Sequence, residues 1–452
     1  PRVAIVGGGL VGALGAVYFA RRGWTVDVYD LRRDLRREAQ DAGRSINLAL
    51  SRRGMEAMER VGLDPAAVAT LLPLRGRMLH PRRGPPAAQP YGEAHEHIHS
   101  VDRHALNVRL LDEADRWPNV TLHFQRKLVG ADLDAGTLTL EDRFDVTADL
   151  ILGADGAYSR VRQCLMRRVH MDYHQTYMDH CWIELSIPAM TGAAPPVAPV
   201  TPQGHALSAA HLHIWPRHTF MLIALPNADG SFTATLFLPW ADAARLTTRD
   251  AVLAFFQTEF PDAVPLMGAD ALATAFLAHP RGPLMGVQCR PYHYADRVLI
   301  LGDAAHAMVP FYGQGMNCGF EDLSVLDRLL TQHCGPVPPP APAGAVPGPA
   351  TPRAGLGAAL AAYSATRHAD CVAICDLAAR NYDEMRHRVV SWRYQLRKRV
   401  EAWLHRLMPE TVIPLYTMVS FTSIPYSEVI RRDRRQGWWL QFLGVALALG
   451  AV

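Results

Sequence analysis

A glycine-rich turn near the start of the chain constrains the fold most. Residues 3–6 form a short apolar run, and the glycines of Gly7-x-Gly9-x-x-Gly12 follow it directly. Residues 13–22 then carry apolar side chains at helical spacing, and residues 25–29 form a second apolar run that ends at Asp30. Strand, tight turn, helix and strand make a βαβ unit, in which the glycines admit a pyrophosphate and the acid binds a ribose. The sequence therefore predicts a Rossmann-type domain that binds a dinucleotide.

Two later stretches indicate which dinucleotide is bound. Residues 149–155 end in a turn at Asp155 and Gly156, and residues 297–301 form a strand followed by Gly302 and Asp303. A carboxylate at this strand end can bind the hydroxyls of a ribityl chain, which a flavin has and a nicotinamide dinucleotide lacks. Residues 313–317 then begin a helix whose free N–H groups and dipole favour an electron-rich ring. We therefore predict bound FAD, contacted by Gly7, Gly9, Gly12, Asp30, Asp155, Asp303 and Gly315 among others.

Composition sets the broad class. A chain of 452 residues with 49% hydrophobic residues is long enough for at least two globular domains. The 46 basic and 43 acidic residues nearly balance, so no nucleic-acid partner is expected. Seven scattered cysteines are typical of a reducing compartment, and with a strand beginning at residue 3 in place of a signal peptide they predict a cytoplasmic protein.

We predict no metal site from the sequence. Cys371 and Cys375 supply only two ligands of the four that a structural zinc requires. The histidine clusters at 95–99 and 211–213 have no matching set of carboxylates or cysteines. His306, beside Asp303, is interpreted as a packing and hydrogen-bonding residue rather than a catalytic base.

The pattern of apolar runs divides the chain into regions and predicts an α/β fold. Extended runs near residues 211–238, two of them joined by a turn at 227–230, predict an antiparallel sheet, whereas the Ala- and Arg-rich segment after 356 predicts long helices. The predicted regions are a discontinuous FAD-binding domain (1–70, 100–175 and 290–333), a substrate-binding sheet domain (71–99 and 176–289), a Pro-rich loop (334–355), a C-terminal helical region (356–437) and an apolar tail (438–452).

The apolar tail is too short to cross a bilayer alone. Its fifteen residues would span ~22 Å as a helix, whereas the hydrocarbon core is ~30 Å thick. Four arginines between 431 and 435 and two adjacent tryptophans precede or open it. A helix lying in the membrane interface, the stub of a truncated anchor and a helix docked on the protein all remain open.

The three cofactor stretches, in this order, resemble the group A flavoprotein aromatic hydroxylases, which have the para-hydroxybenzoate hydroxylase-like fold. Within that group, further segments look like the kynurenine 3-monooxygenase family. These segments are residues 43–51, 76–78, 90–92, 212–217, 381–386 and 413–419.

The resemblance implies a reaction and a set of contacts. NADPH docks transiently and reduces FAD, O2 forms a C4a-hydroperoxyflavin, and the ring of L-kynurenine is hydroxylated to 3-hydroxy-L-kynurenine. Kynurenine is a zwitterion with an aniline ring, which requires a cation, polar groups and flat apolar walls. The implied substrate contacts are Arg77, Tyr91, Asn381 and Tyr416. The implied flavin contacts are Val11, Asp30, Ala49, Arg103, Leu128, Asp303, Met316 and Asn317.

Three other functions remain open at this stage. A sister hydroxylase of another aromatic amine or acid would share the flavin motifs without needing the four substrate residues. A flavin halogenase would carry a Trp-x-Trp-x-Ile-Pro run, which this sequence lacks. A non-catalytic, membrane-associated flavoprotein is suggested by the tail and the Pro-rich segment. The oligomeric state is not predicted.

Overall fold

The computed structural model describes residues 1–37, 47–93, 95–142, 144–190, 204–338, 353–386, 389 and 391–450, except for the side chains of 392, 393 and 440–450. The first part of the matched segment 43–51, most of the Pro-rich segment and the last two residues lie outside this range.

The described strands are β1 (Arg2–Val6), β2 (Thr25–Asp30), β3 (Leu48–Leu50), β4 (Leu72–Leu74), β5 (Gly76–Leu79), β6 (Ala87–Pro90), β7 (Ile98–Val101), β8 (Val120–Phe124), β9 (Leu128–Asp132), β10 (Thr137–Leu140), β11 (Asp145–Thr147), β12 (Leu150–Gly153), β13 (Asp172–Ile187), β14 (His211–Arg217), β15 (Phe220–Pro226), β16 (Phe232–Pro239), β17 (Gly282–Arg290), β18 (His293–Tyr294) and β19 (Val298–Ile300).

The described helices are α1 (Leu10–Arg21), α2 (Arg52–Arg60), α3 (Pro65–Val68), α4 (Arg103–Asp115), α5 (Arg160–Leu165), α6 (Trp240–Ala243), α7 (Arg249–Glu259), α8 (Val264–Met267), α9 (Ala269–Ala278), α10 (Asp303–His306), α11 (Gly315–Cys334), α12 (Leu356–Arg386), α13 (Trp392–Leu407), α14 (Leu415–Ser420) and α15 (Tyr426–Gly450). Two 3₁₀ turns span Leu35–Arg37 and Pro310–Tyr312.

The cofactor half is built on a six-stranded sheet of order β18-β19-β12-β1-β2-β8. Every neighbouring pair is parallel except the edge pair of β18 and β19. The central strands are almost fully buried because helices cover the sheet, as the apolar runs predict. The loops after β1, β12 and β19 therefore meet at the carboxyl edge of one sheet, where α/β folds bind their ligands.

The second half is built on a seven-stranded sheet of order β17-β13-β16-β15-β14-β5-β6. The hairpin of β15 and β16 turns at 227–230 as expected, with Gly230 at φ +91°. The expectation of a purely antiparallel sheet is wrong for one pair, since β14 and β5 run parallel. The reason is that β5 is not joined to β14 by a hairpin but comes from a segment more than a hundred residues earlier.

Two large hydrophobic cores, a small one that includes Tyr91, and two small sheets complete the fold. One core joins the six-stranded sheet to α1, α4, α11 and α12, and the other lies between the seven-stranded sheet and α7 to α9. The sheet β3-β7-β4 draws its strands from both sides of the predicted 70/71 and 99/100 boundaries, and β11-β10-β9 forms a separate meander. Both large sheets therefore contribute residues to the space that lies between them.

The C-terminal region is helical, as the composition predicts. The predicted boundary at 437/438 falls inside α15, so the apolar tail continues a helix that begins at Tyr426. No proline interrupts residues 426–450, and Gly437 and Gly444 are tolerated in the helix interior. Within the described part of the chain, no helix is both long and apolar enough to cross a membrane.

Candidate active site

The glycines after β1 form a turn that larger residues would not fit. Gly7 has φ +104°, and a Cβ there would lie 2.4 Å from the carbonyl oxygen of Ala154. A Cβ on Gly12 would lie 1.8 Å from the carbonyl oxygen of Gly7. Gly9 differs, because the nearest atom to its missing Cβ is a guanidinium nitrogen of Arg32 at 4.0 Å. Gly7 and Gly12 therefore shape the turn, while Gly9 leaves open the space that a pyrophosphate needs.

Asp30 ends β2 beside this turn. Its carboxylate accepts hydrogen bonds from the backbone N–H of Gly8 at 2.7 Å and from the side chain of Arg32 at 2.8 and 3.0 Å. Burial acts to raise the pKa of Asp30. The Arg32 side chain and the backbone N–H groups of Arg32 and Gly8 outweigh burial and lower the pKa. An ionised acceptor thus stands where a ribose hydroxyl would donate.

Asp155 has a supporting position rather than an open one. Its carboxylate accepts from the Ser159 hydroxyl at 2.5 Å and from the N–H groups of Arg160 at 2.6 Å and Val161 at 3.1 Å. It therefore caps the N-terminus of α5, and its Cα lies against Gly7. The predicted direct flavin contact of Asp155 stays a prediction, and its side chain shapes the glycine turn from behind.

Asp303 lies at the carboxyl edge of the six-stranded sheet, shortly after β19, and the space at this edge is named here the cofactor cleft. Burial among surrounding groups raises its pKa, yet its surface is exposed to solvent, so it lies inside the body of the protein and faces an opening. Arg103, exposed at the first turn of α4, is close enough to Asp303 to act against that rise. The pair can thus face a polyol from two elements.

Of three apolar residues among the predicted flavin contacts, Val11 and Ala49 lie beside the loops at this cleft. Val11 packs against Gly302 and Gly319, where a Cβ would lie 3.3 and 2.7 Å from its side chain. Ala49 in β3 is half-buried and approaches Gly313. Leu128 is buried at the start of β9. Val11 and Ala49 bring α1, β3 and the loop before α11 close together.

The start of α11 is held by Asn317. Its side chain donates to the carbonyls of Ala49 at 2.7 Å and Gly313 at 2.8 Å, and it accepts from the N–H of Ser51 at 2.9 Å. The side chain is therefore used within the protein, and the predicted contact of Asn317 falls to its backbone. Gly315 and Met316 open the helix, so their N–H groups belong to the first turn, which has no acceptors within the helix.

A buried charge network supports the loop that carries Asp303. The carboxylate of Asp322 accepts from the N–H of Gly302 at 2.8 Å, from His306 at 2.6 Å and from Arg367 at 2.8 Å. Burial acts against charge at both ionisable partners, but their attraction raises the pKa of His306 well above its ordinary value and lowers that of Asp322 to about 2. His306 is thus a hydrogen-bonding residue within the interior, as interpreted from the sequence.

The same cluster contains two thiols. His306, Cys318, Asp322 and Cys371 each offer one potential metal ligand, and these atoms lie within 4.8 Å of one another. Arg367 donates to the Cys318 sulfur at 3.2 Å as well as to Asp322. A cation is therefore already in contact with this group, and we assign the cluster to support of the cofactor loop.

The cofactor half fits FAD on these observations. The open side of Gly9 can take a pyrophosphate, the enclosed but exposed Asp303 can take a ribityl chain, and the first turn of α11 can face the pyrimidine end of a flavin ring. FAD is accordingly the cofactor that these residues would hold.

The predicted substrate residues meet on the other side of that cleft. Arg77 in β5 is buried, and its guanidinium lies over the rings of Tyr416 at 5.3 Å and Tyr91 at 5.7 Å. The two rings stack on each other with centroids 4.5 Å apart and planes 9° from parallel. Tyr416 also stacks on Tyr312, in the loop before α11. Aromatic walls and a cation thus come from four separate segments of the chain.

Asn381 joins this group through the flavin loop. It is buried in α12 and donates to the carbonyl of Phe311 at 2.6 Å, directly before Tyr312. Three residues later in α12, Glu384 reaches Arg77 at 3.3 Å. The structure therefore brings Arg77, Tyr91 and Tyr416 into direct contact. Asn381 is connected to them through Phe311 and Tyr312 on one side and, along its own helix, through Glu384 on the other.

Glu384 and Tyr394 were not predicted as site residues. Burial acts to raise the pKa of Glu384, but Arg77 and the Tyr394 hydroxyl, which donates at 2.6 Å, lower it. Glu384 could have been found, because it lies in the matched segment 381–386 and a buried arginine needs a counter-ion. Tyr394 carried no such signal, since its role depends on how α13 packs.

Two polar atoms of this cluster are buried without a well-aligned hydrogen bond to the described residues, although the Tyr91 hydroxyl lies close to Arg77 and Tyr416. They are Nε of Arg77 and the hydroxyl of Tyr91, both buried. Burial raises the pKa of Tyr91, so the hydroxyl is a donor at neutral pH. Because these two donors lie side by side in one cluster, a ligand can supply the acceptor that they lack. Both donors suit an anionic group such as a carboxylate.

The fold and the two half-sites define a flavin-dependent aromatic hydroxylase. The family described as FAD binding domain matches residues 1–335. The chain is 44% identical to the kynurenine 3-monooxygenase of Anopheles gambiae over 95% of this chain and 83% of that protein. It is 42% identical to that of Sus scrofa, over 98% and 88%. The chain belongs to the kynurenine 3-monooxygenase family.

Solved structures agree on the fold. A 2-methyl-3-hydroxypyridine-5-carboxylic acid oxygenase superposes with a TM-score of 0.65 at 20% identity, covering 85% of this chain and 92% of that one. Pseudomonas aeruginosa PqsL in complex with 2-aminobenzoylacetate gives 0.66 at 21% identity, covering 86% and 98%. The predicted fold class is confirmed.

Proposed function

We propose that this enzyme uses NADPH and O2 to hydroxylate L-kynurenine to 3-hydroxy-L-kynurenine on bound FAD. The observation that carries the choice of substrate is the cluster around Arg77. It combines a buried cation, a buried anion and stacked aromatic rings with two unpaired donors. An aromatic α-amino acid presents the complementary anion, cation and flat ring.

Each residue of the cluster receives a role in this proposal. Arg77 and Tyr91 bind the substrate carboxylate through the two donors that have no partner. Glu384, ionised beside Arg77, lies where it can balance the substrate ammonium group. Asn381 uses its amide nitrogen on Phe311, which leaves its carbonyl oxygen for a donor on the substrate. Tyr416 forms the flat wall against the ring.

The reaction places few chemical demands on the protein. FAD supplies the electron transfer and oxygen chemistry when it is bound. The substrate's own aniline nitrogen activates the ring position next to it, so no protein base is required. The chain's task is to hold the ring in one orientation and to exclude water, and the burial of Arg77, Tyr91 and Asn381 serves both.

We further propose a cytoplasmic location. All seven cysteines are unpaired and buried, which suits a reducing compartment.

Anaerobic reduction of the enzyme-bound flavin tests the substrate. NADPH should reduce it much faster with L-kynurenine than without, and admission of O2 should give a product heavier by one oxygen atom. 2-Aminoacetophenone, which keeps the aniline and ketone but lacks the amino acid group, is the matched control and should accelerate reduction far less. Equal acceleration by both compounds would favour the sister hydroxylase, and reduction that responds to no aromatic compound would favour a non-catalytic flavoprotein.

A further inference from the structure

Two buried thiols lie side by side behind the loop that carries Asp303. Cys318 belongs to α11 and Cys371 to α12, and their sulfur atoms are within 4.8 Å of each other. A disulfide bond holds two sulfurs at about 2.0 Å, so these two need to approach by less than about 3 Å, which side-chain rotation can supply. Both thiols are free, and the proposed hydroxylation uses neither of them.

The surroundings of Cys318 favour its ionised form once that form arises. Arg367 donates to the sulfur at 3.2 Å, and a ring nitrogen of His306 lies 3.9 Å from it. Burial and the hydrogen bond to Cys371 raise the pKa of Cys318 well above its ordinary value, while His306 and Arg367 act against that rise. The thiol is therefore protonated at rest, and two cations stand ready to stabilise the thiolate.

One turn of helix separates the two thiols from the cofactor cleft. Helix α10 begins at Asp303, which is exposed, and ends at His306, which lies beside Cys318. Hydrogen peroxide is released when reduced flavin reacts with O2 and no hydroxylation follows. This small, uncharged oxidant therefore arises close to the thiols.

We propose that Cys318 and Cys371 form a disulfide site that hydrogen peroxide oxidises, and that the new bond locks α11 to α12. The sulfur of Cys318 attacks one peroxide oxygen, the O–O bond breaks, and the departing hydroxide takes up the thiol proton and leaves as water. The sulfur of Cys371 then attacks the resulting sulfenic acid at sulfur, the S–O bond breaks, and a second water leaves with the Cys371 proton. Two thiols thus give two electrons to one peroxide.

The disulfide adds to the support of the cofactor loop. It closes a long loop that includes the Pro-rich segment, and such a cross-link restricts the unfolded chain. Asp322 keeps its three hydrogen bonds, because none of them involves a sulfur. The oxidised enzyme therefore unfolds at a higher temperature and releases FAD more slowly. The proposal rests on the reaction of bound flavin with O2 for an internal source of peroxide, and it does not depend on kynurenine as the substrate.

Other uses of Cys318 are less suitable. A metal ion in this cluster would meet Arg367, which already donates to the Cys318 sulfur and to Asp322. Cys375, one turn after Cys371, directs its thiol to two backbone carbonyls at the end of α10, at 3.8 and 3.9 Å. Cys371 is therefore the partner that remains.

Peptide mapping of the FAD-loaded enzyme tests the proposal. After treatment with excess hydrogen peroxide, the protein should be lighter by two hydrogen atoms, and one linked peptide should contain Cys318 and Cys371. The midpoint of thermal unfolding should rise by about 3 °C or more, and FAD should dissociate more slowly. Dithiothreitol should reverse all three changes.

A second arm identifies the source of the peroxide. Incubation with NADPH and O2 but without kynurenine lets the enzyme's own flavin supply the oxidant. A link that forms even with catalase in solution would assign the oxidation to peroxide formed inside the enzyme. A link that catalase prevents would assign it to peroxide that reaches the thiols from solvent.

Variants and competing outcomes make the test specific. Cys371→Ser should abolish the link and the rise in midpoint, whereas Cys181→Ser, which removes a buried thiol of the seven-stranded sheet, should keep both. Absence of the link in the unaltered protein under both peroxide sources would overturn the proposal, as would a link from Cys318 to Cys375. A linked protein whose midpoint is unchanged or lower would refute the lock. A stoichiometric metal ion with thiols that peroxide leaves reduced would show that the cluster binds a metal.

Discussion

The side chains that hold the cofactor loops and the Arg77 cluster of the substrate half differ in how completely their polar groups are satisfied. In the cofactor half, Asp30, Asp155, Asn317 and Asp322 all have hydrogen-bond partners within the chain. In the substrate half, a guanidinium nitrogen and a hydroxyl are buried without one. The first half is thus shaped before its ligand arrives, whereas the second carries a cost that an incoming carboxylate removes.

This difference has a consequence for how each half responds to substitution. Changes in the cofactor half should affect folding and FAD retention together, because the same bonds serve both. Changes in the substrate half should weaken kynurenine binding while FAD stays bound.

Gly12→Ala should have the largest effect. Its Cβ would lie 1.8 Å from the carbonyl oxygen of Gly7, and both atoms involved are held by the backbone. We expect FAD content after purification to fall by about 100-fold or more, with loss of folded protein. Gly9→Ala is the matched control, because that Cβ meets only Arg32 at 4.0 Å. It should fold normally and bind FAD more weakly, and equal behaviour of both variants would contradict the assigned roles.

Asp322→Asn tests the support of the cofactor loop. The change keeps the shape but leaves Arg367 and His306 without their buried anion. Urea unfolding of the FAD-free protein should show a loss of about 3–5 kcal/mol, and FAD should dissociate faster. Glu141→Gln, which breaks an exposed pair with Lys127, should cost less than about 1 kcal/mol. A loss at Asp322 as small as this control would show that the network is not needed.

Arg77→Gln tests the buried cation of the substrate half. Removing the cation should raise the KM for kynurenine by about 30-fold or more, with FAD still bound. Arg75→Gln alters an exposed arginine of the same segment and should change the KM less than about 2-fold. An Arg77 variant that loses FAD in proportion to its loss of kynurenine binding would remove the distinction between the two halves.

The pH dependence of stability tests the pairing of Arg77 with Glu384. The folded pKa of Glu384 is below its ordinary 4.5, so its contribution to stability is present above pH 4.5 and is lost as the pH falls through the folded pKa. Without Arg77, burial raises that pKa instead. In urea unfolding, Arg77→Gln should therefore lower the free energy of unfolding, relative to the unaltered protein, by a large amount near pH ~7 and by less toward pH ~4. In the double variant Arg77→Gln/Glu384→Gln, the loss of unfolding free energy should not change with pH.

The cofactor half could be predicted from sequence because its geometry is local. Gly7, Gly9 and Gly12 lie within one turn, and the acids at 30 and 303 directly follow strands whose apolar runs are easy to identify. Backbone conformation and strand order then bring the loops together. What the local pattern missed is the use of Asp155 and Asn317, whose side chains bond the protein itself.

The substrate half could not be derived from local pattern. Arg77, Tyr91, Asn381 and Tyr416 come from distant segments, and only the family resemblance connected them. Even so, it omitted Glu384 and Tyr394, because a counter-ion depends on which helix packs beside β5.

Tyr91→Phe should have the smallest effect and is the sharpest test of the comparison. The hydroxyl has no partner among the described residues, so its removal should leave the free energy of unfolding unchanged or slightly higher. The KM for kynurenine should rise about 3- to 10-fold, because one hydrogen bond to the carboxylate is lost.

Tyr18→Phe is its counterpart in the cofactor half. That hydroxyl donates to the carbonyl of Ala57 at 2.7 Å and lies 3.0 Å from the Ser324 hydroxyl. Its removal should lower the free energy of unfolding by about 1 kcal/mol and leave the KM unchanged. Both substitutions delete a tyrosine hydroxyl. A loss of stability in Tyr18→Phe and a rise in KM in Tyr91→Phe would distinguish a hydroxyl that stabilises the fold from one that binds substrate. If Tyr91→Phe instead destabilises the protein and leaves the KM unchanged, the hydroxyl already has a partner in the free enzyme, and the carboxylate must bind elsewhere.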